Sequence, residues 1–298
     1  MKIAISGSHG LIGTYLVNDL RLKNHTVTRI VRSKDTAGIF WDPNTNYINQ
    51  EKLESFDAII NLCGNNIASI NPFSINKELI YSSRVGTNLL LSRVISKLKN
   101  PPKYFISASG CSIYNSSKND ITENTDYGKG FLTQLALDWE EASRFYNTPK
   151  TKVINLRFGQ VISKESLFLK IMKNLVNYLR VSSIGSGNQY WPWISINDVI
   201  GIMHFIINSN FLEGPINIVS PQKNTSKEFL RKLAQELNVN PILNLPSPLI
   251  KLGANKLASQ ILLNNYPVVP EKLQQNNYNF IEEDLSETLK NLIQNLGT

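Results

Sequence analysis

Three glycines carry the first chemical signal in this chain. Gly7, Gly10 and Gly13 stand three apart in MKIAISGSHGLIGTYLV, directly after the apolar run KIAIS and directly before a helical pattern beginning at Ile12. A first glycine permits a tight turn out of a strand. A second lets backbone amides approach an anion with no Cβ between, and a third lets helix and sheet pack closely. The helix that follows presents unpaired N–H groups and the positive end of its dipole. The backbone of Gly7, Ser8, His9, Gly10, Leu11, Ile12 and Gly13 is therefore expected to hold the linked phosphates of a dinucleotide.

The end of the second strand speaks to which dinucleotide. An NAD site places an Asp or Glu about 20 residues past the glycines to hold the ribose 2′-hydroxyl. HTVTRIVR (25–32) instead runs into Val31-Arg32-Ser33-Lys34. A carboxylate would repel a 2′-phosphate, whereas a guanidinium binds it bidentately. Arg32 and Ser33 favour NADP(H) over NAD(H), with Asp35 near enough to keep the second open.

Residues so placed need a parallel sheet to position them. Strand-like runs at 2–6, 25–32, 56–63, 103–109 and 152–159 alternate with helical patterns at 12–22, 76–99 and 131–146, and Pro101–Pro102 stops the longest helix. This alternation predicts a doubly wound α/β fold, a parallel sheet with helices on both faces and right-handed crossovers. Past Gly159 the rhythm loosens into a helix over 165–180, the loop SSIGSGNQYWPWISINDV (182–199) and a helix to about Asn208. The strand GPINIVS follows, then a helix over 225–238 that Thr225 and Glu228 open at capping-box spacing. A dinucleotide-binding domain at 1–164 and a smaller closing lobe at 165–298, partly returning to the first domain, are expected.

Composition excludes several classes. The 298 residues are 42% hydrophobic and 18% charged, enough for a sizeable core and against disorder. The longest apolar candidate, VIGIMHFII (199–207), is about half the roughly 20 residues a membrane helix needs, and no signal-peptide layout opens the chain. Cys63 and Cys111 make no disulfide framework, so a cytoplasmic protein is expected. The net charge of +8 is scattered, which argues against nucleic acid and suits an anionic ligand. His9, His25 and His204 lie far apart without any Cys-x-x-Cys, so no metal is expected. A monomer or homodimer acting on a small molecule fits this profile.

Longer stretches add a resemblance. The glycine loop, FDAIINLCGNNIA (56–68), YFISASG (104–110) and LRFGQVIS (156–163) resemble the extended short-chain dehydrogenase/reductase superfamily. More narrowly, the chain is similar to an atypical epimerase-family branch with its own C-terminal domain. NLCGNNIA carries this likeness, with Lys77, Ile80, Ser83 and Arg84 in a K-x-x-I-x-x-S-R pattern and TEN at 122–124. FLTQLALDWE (131–140), GSGNQYWPWISINDV (185–199) and LLNNYPVVPEKL (262–273) extend it over nearly the whole chain. The resemblance implies a cofactor crevice that also takes Leu62, Cys63, Gly64, Asn65, Arg84, Ser107 and Val161. It implies an oxidoreductase or nucleotide-sugar-epimerase-like activity. Pro72, Ser195 and Cys63 stand where the branch has Trp, His and Ala, which bears on substrate handling.

Short-chain reductases pair a Tyr with a Lys four residues on, with a Ser at the end of the preceding strand. Lys lowers the Tyr pKa and Tyr passes the proton. Ser109 fits the Ser, but the expected helix carries residues such as Leu132 and Ala136 where the pair belongs. Tyr114-x-x-x-Lys118 and Tyr146-x-x-x-Lys150 match elsewhere, the second interrupted by Pro149. Ser109 and Tyr114 are the candidate catalytic residues. Arg84 faces either an anionic ligand or a surface partner. Trp139, Trp191, Trp193 and Gln189 are candidate pocket walls, and Glu123 and Asp198 are acids in loops. Two functions stay open: an NADP(H)-dependent enzyme, and a non-catalytic NADP(H)-binding sensor or partner-binding protein. A deep pocket beside the nicotinamide would favour the first.

Overall fold

A computed structural model describes residues 1–64, 76–146, 148–253 and 256–294. The chain runs β1 (Lys2–Ser6), α1 (Leu11–Leu22), β2 (Thr26–Val31), β3 (Ile39–Asp42), β4 (Tyr47–Ile48), β5 (Ala58–Asn61), α2 (Lys77–Tyr81), α3 (Thr87–Ile95), β6 (Tyr104–Gly110), α4 (Phe131–Arg144) and β7 (Lys152–Phe158). It continues through β8 (Gln160–Ile162), α5 (Leu167–Leu179), β9 (Val181–Ile184), β10 (Tyr190–Trp191), β11 (Trp193–Ser195), α6 (Ile196–Asn208) and β12 (Gly214–Ile218). It closes with β13 (Asn224–Thr225), α7 (Ser226–Glu236), β14 (Leu243–Leu245), α8 (Ser247–Gly253), α9 (Lys256–Leu263), α10 (Glu271–Gln275) and α11 (Leu285–Gln294).

Eight strands share one sheet in the order β12-β7-β6-β5-β1-β2-β3-β4. Every neighbouring pair is parallel except the β3–β4 hairpin. From β1 the chain moves to β2 on one side, then returns to β5 on the other. That reversal opens a crevice beyond the carboxyl ends of the strands. The doubly wound sheet expected from the alternation is present. The hairpin extends it at an edge, from four- and two-residue strands too short to show a period.

One face of the sheet packs on α1 and α6: Leu16, Val17 and Leu20 are fully buried against a cluster that includes Ile202 and Met203. Each such side chain contributes about 1.5–3 kcal/mol of burial. The other face buries Leu90, Leu91 and Val94 of α3. A separate cluster gathers Met172 of α5, Phe229 and Leu233 of α7 and Leu289 of α11. The capping box of α7 forms, Thr225 accepting from the Glu228 N–H while the Glu228 carboxylate accepts from the Thr225 N–H. The long helix expected over 76–99 is α2 and α3 joined by a π-helical turn, Ser82–Gly86. Arg84 sits in that turn, a local widening frequent at functional sites.

Candidate functional site

The glycine loop lies at the carboxyl end of β1. Gly7 has φ +68°, and a Cβ there would sit 2.6 Å from the Leu62 carbonyl. A Cβ on Gly13 would sit 2.3 Å from the Gly7 carbonyl oxygen, so the third glycine lets α1 close over the loop itself. Gly10 caps α1 in extended conformation with no side-chain cap and no acid in the first turn. The first N–H groups of α1 thus have no side-chain cap, the arrangement an anion site at a helix start requires. Ser8 is buried, and its hydroxyl has no hydrogen-bond partner among the described residues. A buried polar group without a partner calls for one, and a dinucleotide phosphate fits that demand and the amides around it.

Arg29, which the sequence did not single out, donates from Nη1 to the Ser8 carbonyl and pins the loop from β2. The available signal was one charge in the β-branched strand TVTRIV. Arg32 and Ser33 lie exposed past the end of β2, where Ser33 Oγ accepts from the Asp35 N–H at 3.2 Å. Leu62 and Cys63 are half-buried beside Gly7, and Gly64 is exposed. Burial pushes the Cys63 thiol up, partly offset by the Ser6 hydroxyl and the Arg32 charge. Ile12, Leu62 and Val161 pack on the same core cluster, and His9 is exposed. Asn65, Pro72 and Phe73 lie outside the described residues.

Ser107 corrects an expectation. It is fully buried, and it exchanges hydrogen bonds with Asn88 of α3. It belongs to an internal polar chain through Ser6 and Asn61 that ties β1, β5, α3 and β6 together, so it cannot touch a cofactor in the crevice.

A cavity of about 220 Å³ adjoins the crevice at the ends of β6 and β7. Ser109 and Gly110 form one side, Phe158, Gly159 and Gln160 another. Leu132, Leu135, Ala136 and Trp139 of α4 supply an apolar wall. Thus Leu132 and Ala136, at the positions of the missing dyad, do face a pocket, as hydrocarbon. Chain far away in sequence completes it: Phe168, Trp191, Leu262 and Tyr266. Trp191 Nε1 donates to the Leu262 carbonyl at 2.9 Å, and Gln189 Nε2 donates to the same oxygen at 3.0 Å, which fixes that wall. Trp193 is core, its Nε1 bonded to Asn224.

Arg84 joins crevice and cavity. A Cβ on Gly64 would lie 3.2 Å from the Arg84 guanidinium carbon, and that carbon lies 5.2 Å from the centre of the Trp139 ring. Nη1 donates to the Ile80 carbonyl at 3.1 Å. Burial pulls the Arg84 pKa down to about 10, which leaves it cationic at neutral pH.

Beneath the cavity lies a buried charge network. Arg157 of β7 donates from Nε and Nη2 to Glu140 of α4 at 2.8 and 2.9 Å, and Ser109 donates to the same carboxylate at 2.8 Å. Burial lowers the Arg157 pKa, but its bonds to Glu140 and Tyr114 outweigh this and raise it. Tyr114 corrects the second catalytic expectation. Its phenol is buried, accepts from Arg157 Nη1 at 2.7 Å and donates to Asn217 Oδ1 at 2.6 Å. Burial pushes its pKa up. With both roles taken in the interior, it is a structural group and not a cavity wall. Glu123 is buried as well, its Oε1 accepting the Asn217 N–H at 2.9 Å. Ser195, where the branch has His, caps α6 by accepting the Asp198 N–H. Asp198 holds the N–H groups of Ile281 and Glu282.

A family model described as NAD dependent epimerase/dehydratase family matches residues 3–218. Epimerase family protein Mb2239 of Mycobacterium bovis is 32% identical over 290 residues, 96% of each chain. The crystal structure of human epimerase family protein SDR39U1 (isoform2) with NADPH superimposes with a TM-score of 0.90 at 28% identity, covering 99% of this chain and 100% of that one. MoeE5 in complex with UDP-glucuronic acid and NAD shares the fold, with a TM-score of 0.76 at 17% identity over 99% of this chain and 98% of its own. Among the described residues no helix is long and apolar enough to cross a membrane.

Proposed function

This chain belongs to the NAD dependent epimerase/dehydratase family, and from that premise we propose that it binds NADP(H) at the glycine loop and acts as an oxidoreductase on a small molecule held in the adjoining cavity. The observation that carries this is the uncapped start of α1 beside the unpartnered Ser8 hydroxyl, one crevice away from the Arg84 cavity. The NADPH in the human relative's structure supports the phosphate preference read from Arg32 and Ser33. When bound, the reduced dinucleotide supplies a hydride. The chain's own residues do the rest. Backbone amides of α1 hold the phosphates, Arg32 and Ser33 take the 2′-phosphate, and Leu62 to Gly64 bound the crevice.

The cavity favours an enzyme over a sensor, because a protein that only registers its cofactor needs no second pocket. Ser109 lines it with its proton committed to Glu140, so its oxygen accepts a hydrogen bond from a ligand and does not donate one. On this reading the protein works in the cytoplasm as a monomer or homodimer, and its two free thiols agree with a reducing compartment. The test is a fluorescence titration with NADPH and with NADH. The reading expects both to bind, NADPH at least tenfold more tightly, a difference of about 1.4 kcal/mol. Absence of binding by either would end it; NADH binding as tightly would end the NADP(H) preference.

A further inference from the structure

Arg29 lies inside β2, in register with Ile5 of β1, yet its guanidinium reaches the glycine loop, where Nη1 donates to the Ser8 carbonyl. That bond leaves the rest of the fork unused. Nε and Nη2 have no hydrogen-bond partner among the described residues, and both keep access to solvent. The side chain is half-buried, and no carboxylate among the described residues pairs with it. Burial first, and then the nearby charge of Arg21, pulls its pKa below the ordinary guanidinium value, with no acid to offset them. A half-buried cation with open donors and no counter-charge is an unmet demand for an anion.

The place of that demand is specific. Arg32 and Ser33 leave the end of the same strand, and the loop they open returns over it: a Cβ on Gly38 would lie 2.3 Å from the Arg29 carbonyl oxygen. β3 then starts at Ile39 beside Ile30. The Arg29 guanidinium, held at Ser8, therefore stands between the glycine loop and the end of β2, where a doubly wound dinucleotide site holds the 2′ group of the adenosine ribose. A phosphate monoester carries about −1.5 to −2 charges at neutral pH, more than Arg32 alone neutralises.

We propose that Arg29 is a second cation for the 2′-phosphate of NADP(H): Nη1 holds the loop through Ser8, while Nε or Nη2 donates to the phosphate that Arg32 also meets. The inference rests on the dinucleotide reading above and adds to it a specificity-determining residue. One guanidinium then fixes the loop that holds the linked phosphates and reads the group that tells NADPH from NADH. Doing both takes a planar fork, which lysine lacks. Arg32 is exposed, where water and salt screen its charge; Arg29 is half-buried, where the same charge counts for more.

The test is fluorescence titration of the full chain with NADPH and NADH, which differ only in that phosphate, on the unaltered protein, Arg29→Gln and Arg29→Lys. The readout is the ratio of the two affinities, which a role confined to the loop leaves unchanged. Arg29→Gln is expected to lower the NADPH preference about tenfold, the scale of a hydrogen bond between charged groups. Arg29→Lys keeps the charge without the fork and is expected to lower it about threefold, which keeps the question answerable should Arg29→Gln not fold. A preference unchanged in the variants, even with both affinities reduced, would overturn the proposal and leave Arg29 a support of the loop. NADH binding the unaltered chain as tightly as NADPH would overturn it too, with the dinucleotide site intact, whereas binding of neither would sink that reading and the proposal together.

Discussion

Arg157 and Glu140 meet in a two-point ion pair, Nε to Oε1 at 2.8 Å and Nη2 to Oε2 at 2.9 Å, with both side chains buried. Ser109 on the cavity wall shares the same carboxylate. The pair therefore fixes the floor of the site from β7 and α4 at once. Glu140→Gln leaves a buried guanidinium without its counter-charge, and a loss of about 3–5 kcal/mol is expected on urea denaturation. A loss no larger than the ~1 kcal/mol of a surface pair would remove this network from the fold's supports.

Tyr114 lies in that network, not in the site. Tyr114→Phe keeps the ring but strips one partner each from Arg157 Nη1 and Asn217. A destabilisation of about 1–3 kcal/mol is expected, with affinity for NADPH unchanged. Denaturation and titration on the same preparation separate the two effects, and a stable variant with lost binding would return Tyr114 to the site.

Alanine inside a helix ordinarily stabilises by about 1 kcal/mol relative to glycine. At Gly13 the sign should reverse, because the new Cβ would lie 2.3 Å from the Gly7 carbonyl oxygen. Gly13→Ala is expected to lower Tm and weaken NADPH at least about tenfold. A higher Tm with intact binding would contradict the close approach of α1 to its own loop.

At the end of β2, Arg32→Glu exchanges the group that suits a 2′-phosphate for one that suits a 2′-hydroxyl. A hydrogen bond to a charged group is worth about 1.5–3 kcal/mol, so NADPH affinity is expected to fall about 10–100-fold while NADH holds or improves. Parallel titrations of both cofactors check it, and equal losses for both would assign Arg32 a structural part.

Asp284 opens α11, accepting the N–H groups of Ser286 and Glu287 at 2.8 and 3.0 Å. The Glu287 N–H first, and then Gln222, Lys232 and Ser286, hold its carboxyl below the ordinary 3.8 against the effect of burial. A lowered folded pKa gives stability that is full above the unfolded value and is lost as pH falls through the folded one. Asp284→Asn should therefore cost most at about pH 5 and above, and progressively less below about pH 4. Denaturation curves across that range test it; a cost that grows towards acid would have the wrong sign.

Much of the architecture was legible because it is written locally. Strand–helix alternation predicted the doubly wound sheet, and the glycine spacing located the loop that Gly7 and Gly13 enforce by close contact. The capping box at Thr225 and Glu228 was readable for the same reason. The β3–β4 hairpin was not, since strands of four and two residues carry no usable period. Ser107 and Tyr114 misled because residue type says what a hydroxyl can do, and not whether a neighbour has already claimed it.

By itself the sequence determined the fold class, the place of the glycine loop between β1 and α1 and the lack of a Tyr–Lys pair at 132 and 136, all properties of spacing along one element. Only the tertiary structure decided that Arg84 lies beside Trp139, that Arg29 pins Ser8, and that Leu262 and Tyr266 wall a cavity begun by Ser109. Those relations join segments separated by tens to more than a hundred residues. Chain connectivity does not fix such distances; they are set when buried donors find acceptors and apolar faces close on one another.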